Sequence, residues 1–411
     1  MSSKTSLPKR LIFVLVMLGL MVGGLELLLN LTALASPKAR HMLAPSWDAP
    51  PAQVSDVLLG HRPNPAAFGH DARGFRNVAA LNEAPYLVLG GSQAYGTNVD
   101  APDAWPVRLS QELAQPVYNM SFGGYGPTHF AALLPEALKL KPKVVIVDFC
   151  SANDLFDTYA FFYETQKKLE GVSVSIDPNF KATPLSEEIA GVSVRADDAA
   201  PAADSSSKLS PLAWIKSHSK IIGLARRIRE EAGQLKNRNS PDLAWQEALK
   251  YADKRVPVYE KFEGHGLRTL FRPAYRLKGM NLDDPRVVEG QRLAQETLLH
   301  IHKTLAAQNI RFVVLLIPSK EYSFAPLLGA GNEAVVQLAD KEEQVFQNLI
   351  AFMKTNHIDF INPLPLLREE VKAGHPIYFS NHDDHFNPLG HSVIAKYIAE
   401  TLAALGGPSI P

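Results

Sequence analysis

Val144-Val145-Ile146-Val147 and Val313-Val314-Leu315-Leu316-Ile317 are short runs without a polar residue. A strand with one wet face alternates apolar and polar residues, whereas an unbroken run of this length suits a strand buried on both faces of a parallel sheet. Working outward, candidate strands lie at Tyr86–Leu89, Val117–Asn119, Val144–Phe149, Phe312–Ile317 and Ile358–Ile361. Segments with helical periodicity separate them, among them Trp105–Leu113 and Glu343–Thr355. Strand–helix alternation of this kind predicts a doubly wound, flavodoxin-like α/β fold. Its mostly parallel five-stranded sheet is assigned to residues 81–411.

The alternation breaks between about residues 160 and 290, which reads as a helical insertion. Within it, Asp197 to Ser207 (DDAAPAADSSS) is a low-complexity surface loop. A helix from Leu212 to Lys236 follows, with Lys216, Lys220, Arg226, Arg227 and Arg229 along it. Those bases suit anionic lipid or an acidic glycan, although a solvated face is the simpler account. Ahead of the sheet, residues 36–80 are rich in Pro and Ala and read as a stalk.

The 411 residues are 46% hydrophobic and 20% charged, a globular balance that excludes a disordered chain or a fibre. Basic and acidic residues number 42 each, so the chain lacks the excess positive charge of a dedicated nucleic-acid binder. The single cysteine, Cys150, rules out an intrachain disulfide and a cysteine-based metal site. Lys4, Lys9 and Arg10 precede a mostly apolar stretch from Leu11 to Ala35. About 20 such residues cross a bilayer core, and the preceding charge keeps the tail, residues 1–10, in the cytoplasm. An uncleaved anchor over 11–35 is therefore preferred, with a signal peptide cut after Ala33-Leu34-Ala35 as the alternative. Either reading puts the body of the protein outside the cytoplasm, in the periplasm. Glu26, inside the stretch, suits the outer interface or a partner helix.

Four segments follow strands or occupy the last loop: Gly90-Gly91-Ser92-Gln93-Ala94-Tyr95-Gly96, Asn119 to Gly126, Ser151-Ala152-Asn153-Asp154, and Asp383-Asp384-His385-Phe386-Asn387-Pro388-Leu389-Gly390-His391. The carboxyl ends of the strands line the ligand crevice in open α/β sheets, so these segments should converge. Their residue types fit acyl transfer. Ser92, at a tight glycine-flanked turn with a helix N-terminus behind it, is the candidate nucleophile. His385 is the base, and Asp383 holds its tautomer, with Asp384 as the rival carboxylate. The Ser92 and Gly124 amides and the Asn153 side chain are the oxyanion donors. His382, Asp383, Asp384, His385 and His391 also contain metal-ligand types, but no second cluster supports a metal and no cofactor is expected. His391 is assigned to the final helix, and Cys150 to the core. Pro318-Ser319-Lys320-Glu321 suits either the pocket rim or a loop with an ion pair, while Gly74-Phe75-Arg76 suits packing or an arginine near the site.

These four ordered blocks, across about 81–160 and 305–405, resemble the SGNH (GDSL-type) hydrolase family, named for its Ser, Gly, Asn and His blocks. Two departures stand out: Gly91 where the common motif has Asp, and Ser151 where Gly is frequent. The resemblance extends to membrane-anchored members that modify exported polysaccharides, and these favour the Asp-x-His spacing of Asp383 and His385. It implies a serine esterase or O-acyltransferase acting on O-acyl groups, by analogy O-acetyl groups, of an exported glycan. A membrane-embedded acyltransferase is an implied partner. The alternative is a catalytically weak glycan-binding component of a polysaccharide modification or export assembly.

Overall fold

The computed structural model describes residues 7–36, 39, 42–43, 51–165, 169, 171–172, 174–181, 183–186, 219–238, 240–253, 259–329 and 331–406. The loop 197–207, residues 212–218 of the basic helix and residues 44–50 of the stalk lie outside them. Contacts divide the chain into two units. One comprises Met1–Ala52, Ala66–Phe68 and Pro201–Pro241; the other holds Gln53–Pro65, Gly69–Ala200 and Asp242–Pro411.

In the first unit an unbroken helix spans Leu7–Ala35. Its apolar side chains stand exposed along its length, from Leu11 through Leu34. Glu26, placed by sequence at an interface or against a partner helix, meets a helix of its own chain. Its carboxylate accepts hydrogen bonds from Ser219 Oγ (2.9 Å), Lys220 N (2.5 Å) and Ile221 N (3.2 Å). These donors open the helix Lys220–Arg238, so Glu26 fills the capping role for amides that have no partner within that helix.

In the second unit, β3 (Tyr86–Leu89), β4 (Val117–Asn119), β5 (Val144–Cys150), β8 (Arg311–Ile317) and β9 (Asp359–Ile361) form one sheet in the order β4-β3-β5-β8-β9. Every pairing is parallel, with Leu89 beside Val147 and Val147 beside Val314. The two apolar runs occupy the middle of the sheet, and their alternate side chains enter different cores. Val145, Val147, Val314 and Leu316 pack on one face, and Val144, Ile146, Val313, Leu315 and Ile317 on the other. Helix Trp105–Leu113 matches its expected bounds, while Glu333–Thr355 begins ten residues ahead of the expected start.

Residues 53–80 are not a stalk. They carry the antiparallel hairpin of β1 (Gln53–Asp56) and β2 (Gly60–Pro63), and a segment packed on the sheet edge. Phe75 is fully buried, and Tyr118 of β4 donates its hydroxyl to Asp71 at 2.6 Å. The Asn77 side chain bonds both the N–H and the carbonyl of Asn119, each at 2.9 Å, and so extends the edge strand β4. Pro and Ala made this stretch look like a linker, because the partners of its polar residues are remote in sequence. The insertion is not purely helical either: β6 (Glu260–Gly264) and β7 (Leu267–Phe271) form an antiparallel ribbon beside its helices.

Candidate active site

At the end of β3 the chain turns sharply through Gly90 and Gly91 into a single helical turn, Ser92–Tyr95. A helix this short carries little macrodipole, so the stabilisation expected from a helix N-terminus behind Ser92 is reduced. The turn is crowded. A Cβ on Gly90 would lie 2.6 Å from Ala94 Cβ, and one on Gly91 would lie 2.9 Å from the Tyr125 carbonyl oxygen. An aspartate at position 91 would require that carbonyl to shift, which accounts for the glycine. A carboxylate arrives from the adjacent strand instead: Asp148 of β5 accepts the Gly91 N–H at 3.3 Å. Burial pushes the Asp148 carboxyl up to about 7, against the opposing effect of the Gly91 and Ala94 amides.

The last loop brings its imidazole to this turn. His385 Nε2 lies 2.8 Å from Ser92 Oγ, and His385 Nδ1 lies 2.7 Å from Asp383 Oδ1. The carboxylate can only accept, so Nδ1 carries the proton and Nε2 is left to accept from the hydroxyl. Asn98 Nδ2 donates to the other Asp383 oxygen at 2.5 Å. Burial works to raise the Asp383 carboxyl, but the hydrogen bonds from His385 and Asn98 outweigh it and hold the group below its usual range. The rival Asp384 has other partners. Its buried carboxylate is ion-paired with Arg272 and Arg276, with Lys320 Nζ at 4.0 Å. Those charges overcome the burial and keep it far below the ordinary carboxylate range. Gln93 straps the two parts together, donating to the Asp384 carbonyl at 3.2 Å and accepting from Phe386 N at 3.3 Å.

The expected donors stand at the same end of the sheet. Gly124 adopts a φ of 80°, which a side chain would strain. From β2, His61 Nε2 donates to the neighbouring Gly123 carbonyl at 2.9 Å and braces this loop. The Ser92 amide begins the helical turn and has no carbonyl behind it within that turn. Asn153 opens the helix Asp154–Tyr159, and its Oδ1 accepts from Arg276 Nη1 at 2.8 Å.

The remaining candidates have structural places. Lys320 is fully buried, not at a rim, and its ammonium donates to the carbonyls of Asn381 (3.1 Å) and Asp383 (2.9 Å) beneath the loop. Arg76 donates to the carbonyls of Tyr95, Gly96 and Val99, bracing the chain that follows Ser92. His391 is buried in the final helix and accepts from Trp105 N at 3.3 Å; burial pulls its imidazole down to about 3. Burial pushes the Cys150 thiol well above its ordinary value, which leaves it protonated at neutral pH. His382 stacks on Tyr251 with ring centroids 4.3 Å apart. Among the described residues no group of three or more His, Cys, Asp and Glu side chains is placed to hold a metal ion. His61, Asn98, Asp148, Arg272 and Arg276 escaped the sequence reading. Only the four-residue spacing of the two arginines and the position of Gln93 beside Ser92 offered a local signal.

Residues 282–410 match the ALGX family model, described as the SGNH hydrolase-like domain of acetyltransferase AlgX. That stretch contains Asp383 and His385, while Ser92, Gly124 and Asn153 precede it. No curated protein sequence matches the chain. Solved structures with a similar course include a protein assigned to the G-D-S-L lipolytic family from Desulfitobacterium hafniense (9% identity, 77% of this chain and 99% of that one, TM-score 0.31). A GDSL-like lipase from Bacteroides thetaiotaomicron aligns at 10% identity over 78% of this chain and 88% of its own, with a TM-score of 0.32. LAE5, an alpha/beta hydrolase from the metagenome of Lake Arreo, Spain, aligns at 10% identity over 80% and 97%, with a TM-score of 0.33. The C-terminal part of the chain, residues 282–410, is thus similar to an SGNH hydrolase-like domain, and the parallel five-stranded sheet is the α/β fold that the sequence led us to expect.

Proposed function

We propose that this protein is an acyl-handling serine enzyme, an esterase or O-acyltransferase that works through an acyl-serine intermediate. The carrying observation is the unbroken chain from Ser92 Oγ through His385 to Asp383, with contacts of 2.8 and 2.7 Å. Ser92 Oγ attacks the ester carbonyl carbon as His385 Nε2 takes its proton, and Asp383 stabilises the imidazolium. The Ser92 and Gly124 amides and Asn153 Nδ2 receive the oxyanion, each donor contributing about 3 kcal/mol. Collapse of the tetrahedral intermediate expels the alcohol, which takes the proton back from His385. Water or a sugar hydroxyl then attacks the acyl-enzyme, its proton passes to His385, and Ser92 is restored.

The family-model description, which names an acetyltransferase, supports acetyl as the group transferred. The helix over Lys9–Ala35, with a mean hydropathy of 2.5, is long and apolar enough to cross a membrane. It supports a membrane-anchored protein with its catalytic unit outside the cytoplasm. There the substrate is the O-acyl group of an exported glycan, and a membrane-embedded acyltransferase is a fitting partner. Labelling by a fluorophosphonate probe tests the mechanism: native protein should react at Ser92, and Ser92→Ala should not. A folded native protein that neither labels nor turns over p-nitrophenyl acetate would overturn it.

A further inference from the structure

The helix Pro273–Met280 belongs to the insertion, and none of the four blocks extends to it. It nevertheless approaches the end of β5 closely: a Cβ on Gly279 would lie 3.3 Å from the Ala152 carbonyl oxygen. Arg276, one turn earlier, has a side chain only 9% exposed. Its Nη1 donates to Asn153 Oδ1 at 2.8 Å, and its Nη2 donates to Asp384. Arg272 binds the same Asp384 oxygen, so that carboxylate is gripped from two sides.

A guanidinium has donors and no acceptor. Facing Arg276, the Asn153 amide must present its oxygen, because the reverse orientation would set N–H against N–H. Its Nδ2 is thereby fixed on the far side, where it donates to no acceptor among the described residues. An amide without this partner would flip about its terminal torsion and present oxygen to the oxyanion part of the time. We infer that Arg276 is a positioning residue for acyl transfer, locking the Asn153 amide as a donor and tying it through Asp384 to the loop that carries Asp383 and His385. The inference rests on the serine mechanism proposed above. It gives the insertion a part in the reaction: one buried side chain sets two halves of the site that are remote in sequence.

A double-mutant cycle between Arg276 and Asn153 tests it. The protein is the full chain in detergent, read by p-nitrophenyl acetate turnover and by the rate of fluorophosphonate labelling. Arg276→Lys keeps a charge for Asp384 but loses the second, fixed donor. It should lower kcat and the labelling rate by about 10- to 100-fold, with KM changed by less than about threefold. In an Asn153→Ala background the same substitution should cost less than about threefold, because no amide remains to be oriented. Equal losses in both backgrounds would overturn the inference, as would native kcat in Arg276→Lys. Should that variant not fold, Arg276→Met is made in the Asp384→Asn protein, which removes Arg276 together with its buried partner and so takes one of the three cations out of the cluster that Asp384→Asn leaves uncompensated. It then enters the same cycle, with Asp384→Asn as reference. Ser92→Ala separates the levels. Turnover surviving it overturns the serine mechanism, whereas turnover that needs Ser92 but ignores position 276 overturns only the positioning role.

Discussion

Asp383 and Asp384 are adjacent in sequence and opposite in consequence, so paired Asp→Asn substitutions divide catalysis from stability. Asp383 Oδ1 accepts from His385 Nδ1 at 2.7 Å, and its second oxygen accepts from Asn98. Asparagine at 383 keeps the shape but offers the imidazole the wrong tautomer. Asp383→Asn should therefore lower kcat by about 10⁴-fold, equivalent to about 5 kcal/mol of transition-state stabilisation. Its melting temperature should stay within a few degrees of native. Asp384 is buried between Arg272 and Arg276 with Lys320 nearby. Removing its charge leaves those cations uncompensated, at a cost of about 3–5 kcal/mol. In a unit of this size that lowers the melting temperature by on the order of 10 °C. Circular dichroism melts, combined with ester turnover per folded molecule, measure both quantities. Asp384→Asn, once folded, should retain far more turnover than Asp383→Asn. Loss of catalysis at 384 as large as at 383 in folded protein would refute the assignment, and so would a stable, fully active Asp383→Asn.

Three further outcomes are expected. Asn153→Ala should lower kcat by about 10²–10³-fold with little change in KM, because its amide acts once charge develops on the oxygen; an effect confined to KM would contradict this. Asp148 binds its proton more tightly in the folded protein, at about 7, than in the unfolded chain. It therefore favours folding fully at low pH, and that contribution fades as pH rises from about 4 through about 7. Asp148→Asn keeps an acceptor for the Gly91 N–H, and should flatten this limb in melts taken between pH 4 and 8; an unchanged slope would place the titration elsewhere. Cell fractionation should recover the full chain only with detergent, whereas a soluble product beginning at Ser36 would rule out the anchor.

Much of the fold was legible because its signals are local. The runs at Val144 and Val313 suit doubly buried strands, and the paired glycines before Ser92 suit a tight turn. The Asp-x-His spacing put both groups in one loop within reach of each other. The stalk was misread for the converse reason: Asp71, Phe75 and Asn77 show their purpose only against Tyr118 and Asn119, some forty residues away. Sequence alone thus determined the strand and helix alternation and the residue types of acyl transfer, since periodicity and turn chemistry act over a few neighbours. The tertiary structure decided which carboxylate serves His385 and which serves the arginines, and what sits beneath the Gly91 turn. It also decided what fixes the Asn153 amide. Arg276 meets Asn153 across 123 residues and Asp384 across 108. Ion pairs and amide orientation depend on where side chains meet in space, and no pattern along the chain encodes a meeting at that distance.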